Sequence, residues 1–186
     1  MTITKESTSS YLTVTTPSGQ EFYITPMRKS DARRMQETLS IPSNLNELIS
    51  LPVPYTLSDA EYWISLQMGP EKTSLPLQVL RSSDPHTGPL TGCVSFTEEG
   101  ELGYYLHPDF RGLGIMKPAV DVLLKWARSE MGMQKFFVRA CEENVGSRRV
   151  IEALDGFVED KAAASWVDWP EAKGGGKRKV LVWRSG

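Results

Sequence analysis

Three stretches of this chain carry residue types able to do chemistry at short spacing. In Arg111-Gly112-Leu113-Gly114-Ile115-Met116, two glycines and an arginine stand where an alternating apolar run, GYYLHPDF, turns directly into a helical pattern. The first-turn amides of a helix have no internal partners, so they attract anions. Glycine lets a phosphate approach them, and Arg111 adds a cation. Lys117 fits the same reading, because a cation in a helix's first turn is unfavourable unless an anion sits there. A plain tight turn is the alternative at this spacing. A dinucleotide fingerprint is excluded because Lys117 stands where its third glycine belongs, and a P-loop because Gly-Lys-Ser/Thr is absent.

The second stretch, Asn144-Val-Gly-Ser147, opens a helical pattern, where Asn144 suits an N-cap and Ser147 a first-turn hydroxyl. Just before it, Cys141 ends an apolar run. An acylated thiol is one use for it, and a buried inert cysteine the commoner one, since no histidine is near in sequence. The third stretch is acidic, Glu98, Glu99 and Glu101, and supplies candidate bases beside ordinary solvated acids.

Composition limits what these groups can serve. A length of 186 residues suits one domain with a sheet covered by helices, expected over 11–186 after a loose polar start at 1–10. A net charge of −2 offers no general attraction to nucleic acid or an acidic membrane. Two cysteines, Cys93 and Cys141, with only His86 and His107 to join them, predict no metal. The N-terminus lacks a signal core, and no run of roughly 18 apolar residues occurs, so a soluble cytoplasmic protein is expected.

The elements that must position these groups follow from periodicity. YLTVT and EFYITPM read as a hairpin over residues 11–27. A helix follows, capped by Ser30 with Asp31 in its first turn. A helical region over about 42–68 is broken at Pro52 and Pro54, its later half starting at a Ser58/Glu61 capping box. From Leu75 the period becomes two, giving LPLQVL, TGCVSF and ELGYYLH as an antiparallel meander. A helix over about 114–131 buries Met116, Ala119, Val120, Leu123 and Ala127, and a crossover of that length brings KFFVRAC parallel to ELGYYLH. A helix over about 144–154 and strands over about 157–168 and 179–184 complete an α+β layer, the last two flanking WPEAKGGGKRK. The basic cluster Lys173, Lys177, Arg178 and Lys179 reads as a solvated loop or as a seat for an acidic substrate, and Trp166 and Trp169 as core or rim residues or as walls of an amine pocket.

The Arg111–Met116 loop after a strand ending in His-Pro resembles the acyl-CoA pyrophosphate loop of the GNAT superfamily of N-acyltransferases. NVGSRRVIEALDGF is similar to that superfamily's Asn-x-x-Ser helix ending in Gly-Phe. The Ser and the Gly-Ile-Met ending resemble the branch of ribosomal-protein alanine acetyltransferases. Met116 departs from the usual Gly or Ala, and one extra residue near Asp155 should make the last turn bulge or end early.

The resemblance implies a GNAT fold: a mixed, mostly antiparallel sheet with a central βαβ unit and helices on both faces. It implies acetyl-CoA as co-substrate, no metal, and direct transfer to a primary amine on a small molecule or a peptide N-terminus, by a monomer or homodimer. Residues 111–116, Leu113 and Ile115 included, would bind the donor. Tyr105, Leu106 and His107 would pair through their main chain with the pantetheine arm, and Asn144 and Ser147 would contact the cofactor. Ser147 is the implied donor at the sulfur, because Ile151 occupies the position where many relatives carry a tyrosine acid, and Glu101 is the implied base. The competing expectation is a weak or inactive GNAT-like module that binds acyl-CoA or serves an interaction.

Overall fold

The computed structural model describes residues 11–69 and 77–186, so the loose start expected at 1–10 and the strand start at Leu75 lie outside the described residues. β1 (Leu12–Thr15) and β2 (Glu21–Thr25) form the expected hairpin, with Leu12 opposite Ile24 and Thr15 opposite Glu21. Alternation turns Leu12, Val14, Phe22 and Ile24 to one buried face.

The next helix starts later than Ser30. A 3-10 turn, Lys29–Asp31, precedes α1 (Ala32–Leu39). Asp31 is the cause: its carboxylate accepts from the Arg28 amide at 2.8 Å and from the buried Arg81 guanidinium at 2.8 and 2.7 Å. The broken region resolves into α2 (Pro42–Leu45) and α3 (Leu57–Met68). Its capping box is Thr56 and Asp59, not Ser58 and Glu61. Both pairs have the spacing, but Thr56 takes the extended conformation of a cap (φ −101°, ψ 167°), and its amide donates to Asp59 at 2.7 Å.

β3 (Val79–Ser82), β4 (Leu90–Phe96) and β5 (Glu101–Leu106) make the antiparallel meander. α4 (Met116–Glu130) carries the chain back so that β6 (Phe137–Cys141) pairs parallel to β5. α5 (Val145–Glu152) ends early, and the extra residue near Asp155 falls in the turn before Gly156. The strand expected over 157–168 is two strands, β7 (Phe157–Glu159) and β8 (Ser165–Asp168), split by a 3-10 turn and both paired to one edge of β9 (Lys177–Ser185). The sheet order is β1-β2-β3-β4-β5-β6-β9-β7, with β8 beside β9.

α4 packs against β1 and β4 over one core, which Ile151 and Leu154 extend. α1 and α3 cover a second core on the other face with Met35, Leu39, Ile64, Val79 and Leu90. The fold is thus α+β, mixed and mostly antiparallel, with a central βαβ unit and helices on both faces. Among the described residues no helix is long and apolar enough to cross a membrane, and no three metal-ligating side chains gather.

Candidate active site

Among the described residues the sheet has one parallel ladder, and it is short. Glu101 pairs with Phe137 and Leu102 with Val138, and pairing stops there although β5 runs on to Leu106 and β6 to Cys141. The diverging strands open a groove of about 1010 Å³. It runs from the loop at 110–117, past Tyr104 and Ser147, to Glu47, Cys141 and Trp169.

Which main-chain groups face this groove is set by the register of β4. His107 donates its amide to Thr91 O at 2.8 Å, and Glu101 O accepts from Thr97 N at 3.0 Å. Antiparallel alternation therefore assigns the amides and carbonyls of Glu101, Gly103, Tyr105 and His107 to β4, and those of Tyr104 and Leu106 to the groove. Of the three expected main-chain contacts, Leu106 faces the groove, while Tyr105 and His107 do not. The main chain of Tyr104 faces it as well.

At the top of β5, His107 Nδ1 accepts from the Asp109 amide at 3.3 Å, so its ring caps the 3-10 turn Pro108–Phe110. The amides of residues 112–117 then donate to no protein acceptor among the described residues, since α4's first bond runs from Ala119 N to Ile115 O. Gly112 (φ 74°) and Gly114 (φ 70°) both take a conformation that L side chains avoid. They differ in surroundings: a Cβ on Gly112 would meet nothing within 4 Å, whereas one on Gly114 would lie 3.1 Å from Pro17 Cδ. Gly112 leaves space over the amides, and Gly114 admits the β1–β2 turn. Ile115 and Met116 are buried and Leu113 is exposed.

Two cations expected at this cradle are engaged elsewhere. Arg111 donates to Ser43 Oγ at 3.1 Å, Ser43 O at 3.3 Å and Asn44 Oδ1 at 2.6 Å, clasping the loop to α2. Asn44 in turn donates to Leu106 O at 3.1 Å. Lys117 lies 2.6 Å from Asp121, one turn on, and this hydrogen bond raises its pKa. The anion that makes a first-turn lysine tolerable is therefore supplied by the helix itself.

In the middle of the groove, Asn144 Oδ1 accepts from the Ser147 amide at 2.9 Å, so it is an N-cap. Ser147 Oγ lies 2.9 Å from the Tyr104 hydroxyl, which also reaches Ser147 O at 3.1 Å. Burial pushes the Tyr104 phenol up to about 12, with the Ser147 hydrogen bond opposing. Ile151, at the position of the missing tyrosine, is fully buried. Sequence reasoning missed Tyr104, although period two in ELGYYLH assigns it to the face of Leu102 and Leu106.

At the groove's closed end, Glu101 is held by Arg139 through two bonds of 2.7 and 2.9 Å, which raise the arginine's pKa. Counting along the ladder, Cys141 is level with Tyr105. It is buried, and burial first, then the charges of Glu47 and Glu143, raise its thiol against an opposing Arg178. That is the wrong direction for a nucleophile.

The basic cluster at 173–179 is consumed internally. Lys173 is buried and donates to Leu48 O and, at 3.2 Å, to Ile49 O. Arg178 stacks 4.4 Å from the Trp169 ring, Lys179 pairs with Glu142 at 2.9 Å, and Lys177 approaches Asp168 at 3.8 Å. Trp169 lines the groove and donates to Asn46 O at 3.1 Å, while Trp166 is 66% exposed and is no wall of it.

A family profile described as an acetyltransferase (GNAT) domain matches residues 21–157. No curated protein sequence matches significantly. Among solved structures, the spermidine N-acetyltransferase from Vibrio cholerae, in complex with CoA and spermine, superposes with a TM-score of 0.72 at 14% identity, covering 88% of this chain and 94% of that one. RimJ of Mycobacterium smegmatis, in complex with CoA-disulfide, gives 0.70 at 17% identity over 94% and 85%. The ribosomal-protein-S5-alanine acetyltransferase from Vibrio fischeri gives 0.68 at 16% identity over 88% and 92%. At such identities the likeness is one of fold.

Proposed function

The chain belongs to the GNAT acetyltransferase family and is an acyltransferase. From that premise we propose that it moves an acetyl group from acetyl-CoA to a primary amine in a ternary complex, as one domain over residues 11–186 acting in the cytoplasm. One observation carries the reading: the parallel ladder stops after Leu102–Val138, directly below a turn whose amides at 112–117 have no protein acceptor among the described residues. The solved relatives named for spermidine and for ribosomal proteins act on amines, which supports that acceptor class.

The donor set fits the phosphates of acetyl-CoA, because unbonded amides at a helix N-terminus stand under the open space above Gly112. When bound, acetyl-CoA supplies an activated acetyl group on a thioester. The main chain of Tyr104 and Leu106 would hold its arm as an added strand. Ser147 would give a proton to the departing sulfur, Tyr104 would replace it on Ser147, and solvent water in the groove would return one to the phenol. The acceptor's ammonium must lose one proton before attack and the nitrogen a second afterwards. Glu101 would accept one through ordered water while Arg139 keeps its orientation, and the other would leave to solvent through the groove.

Calorimetric titration of acetyl-CoA, with NAD as control, tests the reading, followed by thiol release with peptides, amino acids and polyamines. Micromolar binding of acetyl-CoA alone together with amine-dependent thiol release is the expected result. Absence of binding across an acyl series would overturn it.

A further inference from the structure

The carboxylates of Glu101, Glu142 and Glu47 lie in or beside the groove, and the first two are engaged. Glu101 is gripped by Arg139, and Glu142 lies 2.9 Å from Lys179. The third, Glu47, lines the groove and is half-buried, and its carboxylate has no hydrogen bond or ion pair among the described residues.

Glu47 is held in place through its neighbours. Trp169 Nε1 donates to Asn46 O at 3.1 Å, and Lys173 donates to Leu48 O and Ile49 O. Trp169 and Lys173 are 5% and 4% exposed, so both sides of Glu47 are fixed by buried groups from the loop between β8 and β9. The lysine donates to main-chain carbonyls and the nearby Arg178 stacks on Trp169 while donating to Lys173 O, so neither cation neutralises Glu47. Its charge is felt at the Cys141 thiol, across the groove wall.

A partly buried carboxylate left without a cation, in a groove that receives an amine, is a cation seat. We propose that Glu47 receives the acceptor's ammonium group and selects cationic acceptors over those with a carboxylate beside the amine. This rests on the proposed transfer to an amine and names the residue that recognises it. Leu48, Ile49, Val167 and Trp169 supply apolar wall for the carbon chain behind the ammonium.

The test uses the full chain and its Glu47→Gln and Glu47→Asp variants. Binding of 1,6-diaminohexane and of the tripeptide amide Ala-Leu-Ala-NH2 is measured calorimetrically, with and without acetyl-CoA, beside steady-state kinetics and acetyl-CoA affinity. The expected result is that Glu47→Gln weakens amine binding and raises KM by roughly 30-fold or more. Acetyl-CoA affinity and the melting temperature stay unchanged, and Glu47→Asp recovers part of the loss. Equal amine binding and turnover in Glu47→Gln, or no binding of either probe by the wild type, overturns the proposal. Failure of all three proteins to bind acetyl-CoA, with amine binding still dependent on Glu47, would instead overturn the transfer reading and leave the seat standing.

Discussion

The Tyr104 hydroxyl lies 2.9 Å from the Ser147 hydroxyl, joining the middle of β5 to the first turn of α5. A phenol has one proton. When Tyr104 donates to Ser147 O, at 3.1 Å, the serine proton points back to the phenol. When Tyr104 donates to Ser147 Oγ, the serine proton is released to the groove.

Ser147→Ala should therefore lower kcat by roughly 100-fold and Tyr104→Phe by roughly tenfold, the range of a positioned proton donor and its support. The double variant should be no worse than Ser147→Ala alone, because both act through one hydroxyl. Single-turnover kinetics on the four proteins checks this, and additive losses would break the coupling.

Alkaline pH should destabilise the protein. Burial raises Cys93, Tyr55 and Tyr104 to about 12, from 9.0 for the thiol and 10.0 for the phenols. The unfolded chain loses these protons first. Stability from the three groups is complete below about pH 9 and declines as pH rises from there towards 12. Urea unfolding from pH 7 to 11 should show a plateau and then a fall, with a shallower fall in Tyr104→Phe.

The two loop glycines should separate on substitution. Gly112→Ala strains a left-handed residue by about 1–2 kcal/mol and puts a methyl group over the amides, so acetyl-CoA affinity should fall more than stability. Gly114→Ala adds a contact 3.1 Å from Pro17 Cδ and should lose more melting temperature than Gly112→Ala. Calorimetric titration and thermal melts distinguish the two.

Lys173→Met removes the donor to Leu48 O and Ile49 O and frees the 46–49 segment. KM for the amine should rise several-fold while acetyl-CoA affinity is unchanged. An equal loss of both affinities would mean that the strap supports the whole groove.

Asp31→Ala leaves the Arg81 charge buried without its carboxylate, which should cost about 3–5 kcal/mol in denaturant unfolding. Little change at the groove is expected, because this pair ties α1's entry to β3.

How far the sequence could be read depends on the reach of each interaction. The strands, α4 and α5 follow from local periodicity, and the Gly112–Gly114 turn sits where one pattern meets the next. Arg111, Glu101 and Lys173 are only partly legible because their partners lie far away: Asn44 at 67 residues, Arg139 at 38 and Leu48 at 125. Main-chain facing along β5 escaped for a related reason, since it depends on which residue of β4 lies opposite. Only Tyr104 was within reach, by counting alternation from Leu102.

The short parallel ladder also sets a depth. Leu102 and Val138 form the floor where the sheet zips shut, and main-chain pairing fixes how far along the strands that floor stands. Point mutation can trim the side chains that line such a channel, whereas the backbone beneath them moves only with a slip of strand register. The point at which the channel closes is thus a property of backbone arithmetic.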